Sequence, residues 1–350
     1  MCALATEDNR AGGYDMTRGF AYLSSGIAAL ALTLPPLLAQ THSSKQSIAS
    51  AKDHSWVPPR TRDGQPDLES VWAYATITPL ERPRNLGDKA YFSEQELAEF
   101  EKETNTRRNQ DRRDGSAEAD ISRAYNQFWW DFGTKGVQTR RTSLVIDPPD
   151  GRIPALTPEA RKRAAARAAR EARFDSWEDR PLQERCLFWS TAGPPMLPGA
   201  YNNNIRITQS AGYVVILNEM IHDARIVPLD GRPFGDVRQW MGVSRGRWEG
   251  NTLVVETRNF TDKTSLYGSG PNMKLTERFT RVAADMLLYE FTVDDPDSFT
   301  RPWTVQFPMT RSNEYMFEYA CHEGNYSIMN ALQAARAEET ASEEAPHTNK

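Results

Sequence analysis

The chain has 350 residues, 39% of them hydrophobic, and a formal net charge of −5. That length makes one large domain or two modest ones, with enough chain to bury a core. Lys+Arg 42 against Asp+Glu 47 excludes a nucleic-acid binder held by bulk positive charge, because neutralising phosphates needs a basic surface. Nine Trp, twelve Tyr and fourteen Phe argue against disorder, since disordered chains lack aromatics.

Residues 1–39 read as an export address. Arg18 supplies a positive start, Phe20 to Leu34 an apolar stretch of signal-peptide length, and Ala39 a small residue suited to cleavage. The acidic residues Glu7, Asp8 and Asp15 do not suit that role, so the natural start is expected at Met16. A single membrane anchor is the alternative, but the run is shorter than a spanning helix needs and contains Ser24, Ser25 and Gly26. The expectation is a periplasmic or secreted protein with no stable membrane anchor after cleavage. In such a compartment Cys186 and Cys321 form an even pair and are expected to be disulfide-bonded, with two buried free thiols as the alternative. The bond would close a loop worth roughly 4–5 kcal/mol of chain entropy.

Residues 40–65 read as a polar, flexible leader, and ordered structure is expected from Asp67, with a short strand through Ile77. Ser93 with Glu96 makes a capping box for a helix over 93–109, followed by a charge-dense loop over 105–120. Tyr125, Phe128, Trp129, Trp130 and Phe132 are the densest aromatic cluster. A strand is expected over 142–146. Thr157-Pro158-Glu159 opens an Ala- and Arg-rich helix to about Phe174, read as a solvated surface helix or a face for an anionic partner.

From Ile205 the hydrophobic period changes to two. Strands are expected near 205–209, 212–219, 222–228, 240–248, 252–259, 273–281, 285–293, 299–307 and 315–322, separated by turn signals such as Glu249-Gly250-Asn251. A helix over 327–340 and a polar tail over 341–350 complete the chain. The expected fold is mainly β: an antiparallel meander with a helical, loop-rich N-terminal part and a C-terminal helix. Residues 66–340 form one domain, most simply a closed β-barrel, with an open sandwich as the alternative.

Phosphate-binding Gly-rich loops, His-Glu-x-x-His and Gly-x-Ser-x-Gly elbows are absent from the sequence. The clue lies in polar residues on strand faces that otherwise look apolar. Tyr213, Val215, Leu217 and Glu219 share one face; Leu275, Glu277 and Phe279 another; Met286, Leu288 and Glu290 a third; Met316, Glu318, Ala320 and His322 a fourth. If these faces point inward, the lumen holds carboxylates with His222, Arg225 and His322. Glu219, His222, Trp240 and Tyr319 are then the candidate ligand-binding residues. His322 as base, Glu318 orienting it and Arg225 steadying negative charge are the candidate catalytic set. Structural roles in solvated hairpins are the plainer reading of each. His222 and His322 with a carboxylate have metal-ligand chemistry but no spacing motif, so no metal or other cofactor is assigned.

Several stretches resemble an uncharacterised family of secreted bacterial proteins. They include PDLESVWAYATITPLERP at 66–83, ERCLFWSTAGPPMLPGAYNN at 184–203, the signature GRWEGNTLVVET at 246–257 and the signature EYACHEGNY at 318–326. The family pattern has a Gly two residues before the first Trp, where this chain has Ser70, and a His after Gly-Arg-Pro, where it has Phe234. That pattern is similar to the Gly-x-Trp opening of lipocalins and implies a lipocalin-like barrel with a ligand cavity, although fold alone does not give function. The expectation is a binding protein for a small, largely apolar molecule, with no nucleic-acid partner. The alternatives are an acid–base isomerase, hydratase or lyase, and an envelope scaffold.

Overall fold

The computed structural model describes residues 56–123 and 126–344. The export address, its Met16 start and the tail beyond residue 344 lie outside the described residues. The end of the expected flexible leader, residues 59–65, joins Pro66 and Asp67 in a turn in which Arg60 and Pro66 bridge and the Asp67 amide donates to the Pro59 carbonyl at 2.8 Å.

The chain is mainly β. Ten strands among the described residues are β1 (Ser70–Ala73), β2 (Val145–Asp147), β3 (Asn204–Ser210), β4 (Tyr213–Asn218), β5 (Ala224–Pro228), β6 (Val243–Glu249), β7 (Thr252–Arg258), β8 (Lys274–Ala283), β9 (Met286–Asp294) and β10 (Trp303–Ser312). They form one antiparallel sheet in the order β5-β4-β3-β1-β10-β9-β8-β7-β6, with β2 added beside β10. Two meanders, β3–β5 and β6–β10, are thus joined only through β1, whose Val71 pairs with both Arg206 and Ser312. Pro308 lacks an N–H and falls between the part of β10 that pairs with β2 and the part that pairs with β1.

The sheet is not closed by hydrogen bonds, which corrects the simplest barrel expectation. Its two edges still approach each other. A Cβ on Gly246 of β6 would lie 2.6 Å from a Leu229 methyl and 2.8 Å from a methyl of Val227 on β5, so a side chain there would have to push those groups aside. The interior is filled by the alternating residues of every strand, among them Trp72, Phe279, Tyr289, Phe291, Trp303 and Phe307.

Two face assignments are corrected. The inward residues of β4 are Val214, Ile216 and Asn218, and those of β9 are Leu287, Tyr289 and Phe291. Leu217 and Glu290 therefore sit on the outer face, where Glu290 accepts from Gln306 at 2.8 Å. In β4 both faces carry apolar residues, so alternation alone leaves the choice open, whereas in β9 the outer face carries Glu290, Thr292 and Asp294. The expected strand over 315–322 does not form, and residues 313–326 run as turns and coil.

Among the described residues, the helices α1 (Glu94–Arg108), α2 (Ala117–Ser122), α3 (Pro158–Glu171) and α4 (Ser327–Glu344) lie in the flanking segments. Both halves of the Ser93–Glu96 capping box form, at 3.2 and 2.8 Å. Helix α3 is not simply solvated. Arg163 donates to Ser298 at 2.7 Å and Arg167 to the Asp262 carbonyl at 2.9 Å, lashing the helix to the loops around β8 and β10.

Candidate functional site

A polar network crosses the inside of the sheet. Arg225 on β5 faces inward by strand alternation and meets Glu277 on β8, which is 0% exposed. The pair is bidentate, with one arm at 3.0 Å, and the Tyr289 hydroxyl on β9 donates to the same carboxylate at 2.7 Å. Met196, in the segment Gly193-Pro194-Pro195-Met196, covers this network. Its amide donates to the Tyr289 oxygen at 3.1 Å, and its sulfur lies 3.8 Å from an Arg225 nitrogen. Arg225 Nε is buried with no partner. Taking both ions out of water costs several kcal/mol, which the fork geometry and the tyrosine donor offset. Burial, then the Glu277 charge, pushes the Tyr289 hydroxyl well above its usual pKa, so it stays a donor.

A cluster of half-buried rings lies next along the chain from Met196. Trp189 and Tyr201, on either side of it, contact Tyr319 at centroid distances of 6.1 and 6.2 Å, and Tyr201 also meets Trp130 at 6.2 Å. Trp130 stacks on Phe132 at 4.9 Å, and Ala192, Met220 and Ile221 pack beneath Trp189, Tyr201 and Tyr319. Three separated segments supply these rings, and three devices hold them. Asn203 donates to the Asp131 carbonyl at 2.6 Å and accepts from the Gly199 amide at 2.7 Å. Buried Glu219 accepts from Asn204 at 2.7 Å and from the Phe317 amide at 3.2 Å. The Cys186–Cys321 disulfide, with Cα atoms 5.8 Å apart, ties the Trp189 segment to the Tyr319 segment. Tyr74 lies buried beside them, its hydroxyl pushed up by burial and then by the Glu219 and Asp131 charges. The neighbouring chain adds exposed aromatics, including Phe128, Trp129, Tyr315 and Phe317.

The structure therefore separates the sequence candidates. Glu219 and Tyr319 meet at the ring cluster, beside the disulfide. Arg225 lies in the buried network. His222 ends the short 3-10 turn Met220–His222 that leads into β5. Trp240 stands in the loop before β6, where its carbonyl accepts from Thr264 at 2.8 Å. Glu318 and His322 are exposed on the coil after β10, so they do not join Arg225 in one constellation. Trp189, Tyr201, Tyr289 and Met196 were not singled out from the sequence. Glu277 had a signal, its place between Leu275 and Phe279, but nothing local marks Arg225 as its partner.

Among the described residues, no group of three or more His, Cys, Asp or Glu could hold a metal ion. No described helix is long and apolar enough to cross a membrane. Comparison with protein-family models, curated proteins and solved structures finds no match for the chain.

Proposed function

We propose that this is a periplasmic or secreted binding protein for a small, largely apolar molecule, held at the ring cluster rather than in the sheet's lumen. The observation that carries the reading is the assembly of Trp130, Trp189, Tyr201 and Tyr319 from three chain segments into one half-buried surface. Rings held rigidly at a surface bind apolar or flat molecules at low entropic cost. Asp131, exposed beside Trp130, is an acceptor, so the fitting ligand carries a hydroxyl or ammonium donor. The approach of β5 to β6 at Gly246 supports a barrel-like reading of the sheet, with this cluster beside it. The disulfide supports an oxidising compartment. The resemblance to secreted bacterial proteins remains part of this proposal.

Native mass spectrometry of protein purified from the periplasm is the first test. A mass lost on denaturation identifies the natural ligand. In vitro, 1-naphthol is a suitable probe, followed by tryptophan fluorescence. Saturable binding that weakens at least tenfold in Trp189→Ala and in Tyr319→Ala supports the site. Binding equal in both variants and the parent refutes it.

A further inference from the structure

A second concave site lies against α3. Ala164, Arg167, Ala168 and Glu171 follow the i, i+3, i+4, i+7 spacing of one helix face. That face walls a groove of about 390 Å³, closed on its other sides by residues of the 178–190 and 263–268 segments. Five cationic side chains line it, against only two carboxylates, Glu171 and Glu178.

Two of the five cations are committed within the fold. Arg167 donates to the Asp262 and Lys263 carbonyls, and Arg180 forms a bidentate pair with Glu184 at 2.9 and 3.0 Å. The other three have no carboxylate partner among the described residues. Arg185 holds its guanidinium carbon 4.5 Å from the centre of the Trp177 ring, a contact that uses none of its N–H donors in a hydrogen bond to a carboxylate. Lys263 makes no ion pair. Arg170 has a buried Nε with no hydrogen-bond partner. Burial holds Arg167 below its usual pKa, the Glu171 charge opposing this and the Arg170 charge adding to it. Like charges gathered in a half-buried groove repel one another unless an anion joins them.

We propose that this groove binds the oxyanion of a small phosphate- or sulfate-bearing molecule, with Arg170, Arg185 and Lys263 as its ligands. Charge count favours a dianion, and guanidinium forks suit tetrahedral oxyanions. The groove is larger than a bare ion needs, and Leu182 and Phe188 in its wall offer an apolar surface for an organic body. The site is separate from the ring cluster and does not depend on the function proposed there.

Isothermal calorimetry of the full disulfide-bonded chain tests it, using phenyl phosphate, inorganic phosphate and neutral benzyl alcohol as probes. The expected result is saturable phenyl phosphate binding that weakens with added salt and falls at least tenfold in Arg185→Gln and in Lys263→Gln. Lys263→Gln removes no hydrogen bond of the fold, since Arg167 uses the backbone carbonyl, so it remains informative if Arg185→Gln folds poorly. Equal binding of inorganic phosphate supports the oxyanion site and assigns the free ion; tighter phenyl phosphate supports it and assigns an ester. Absence of binding by both anions overturns the proposal. So does binding that Lys263→Gln leaves unchanged, or benzyl alcohol binding as tightly as phenyl phosphate.

Discussion

Replacing Tyr289 by Phe removes one hydroxyl from the centre of the sheet and leaves two groups short of a partner, Glu277 and the Met196 amide. The expected cost is about 1–3 kcal/mol in urea unfolding. Arg225→Met or Glu277→Leu alone leaves a buried charge uncompensated and costs more, about 3–5 kcal/mol, whereas the double substitution recovers most of that loss. An additive double variant would show that the pair is not coupled. The tyrosines also set an alkaline limit. Tyr74 and Tyr289 both have pKa values raised above the ordinary 10.0, so their neutral forms are favoured in the fold. That contribution is complete below pH 10 and is lost as pH rises above it. The urea midpoint should stay level with respect to these groups through neutral pH, then fall above about pH 10, less steeply in Tyr289→Phe. At this scale the sequence is half legible. Alternation marks Glu277 as a charge on an apolar face, but Tyr289 reads as one more core aromatic. Its role appears only when β8, β9 and β5 are brought together across the sheet.

At the scale of elements, local chemistry speaks clearly where one physical rule dominates. Ser93 and Glu96 announce α1, and Ser93→Ala is expected to cost about 1 kcal/mol, read as a lowered thermal midpoint. The β6–β7 hairpin is equally plain, because Glu249 and Thr252 pair across a two-residue turn whose Gly250 has φ +61°. The rule fails at 315–322, where aromatics alternate with Met, Glu, Ala and His and neither face is decisively polar. Glu219 and the disulfide hold that segment instead, and both act over long separations that no local window contains. Where the edges of the sheet meet, Gly246→Val would drive two methyl groups into Val227 and Leu229. The expected cost is about 1–3 kcal/mol from overpacking, with faster amide exchange in β5 as the local signature. Unchanged exchange there would mean that the two edges do not depend on each other.

For the molecule as a whole, the disulfide and β1 tie together distant parts of the chain. Cys186 and Cys321 are 135 residues apart. Replacing both by Ser is expected to lower stability by about 2–5 kcal/mol. It should also loosen the Trp189–Tyr319 contact, so 1-naphthol binding should weaken more than the stability loss alone explains. Strand β1 has a different consequence, one of timing. The chain is made from its N-terminus, yet Val71 needs Arg206 on one side and Ser312 on the other. The hydrogen-bonded sheet cannot be completed through β1 until the strand ending at residue 312 has emerged. Until then β1 can be paired on its β3 side alone, with Trp72 opposite Ile205, and such non-local sheets close slowly. Yield in an expression host should therefore respond to slower elongation or to a holding chaperone more strongly than to substitutions that merely strengthen the finished sheet.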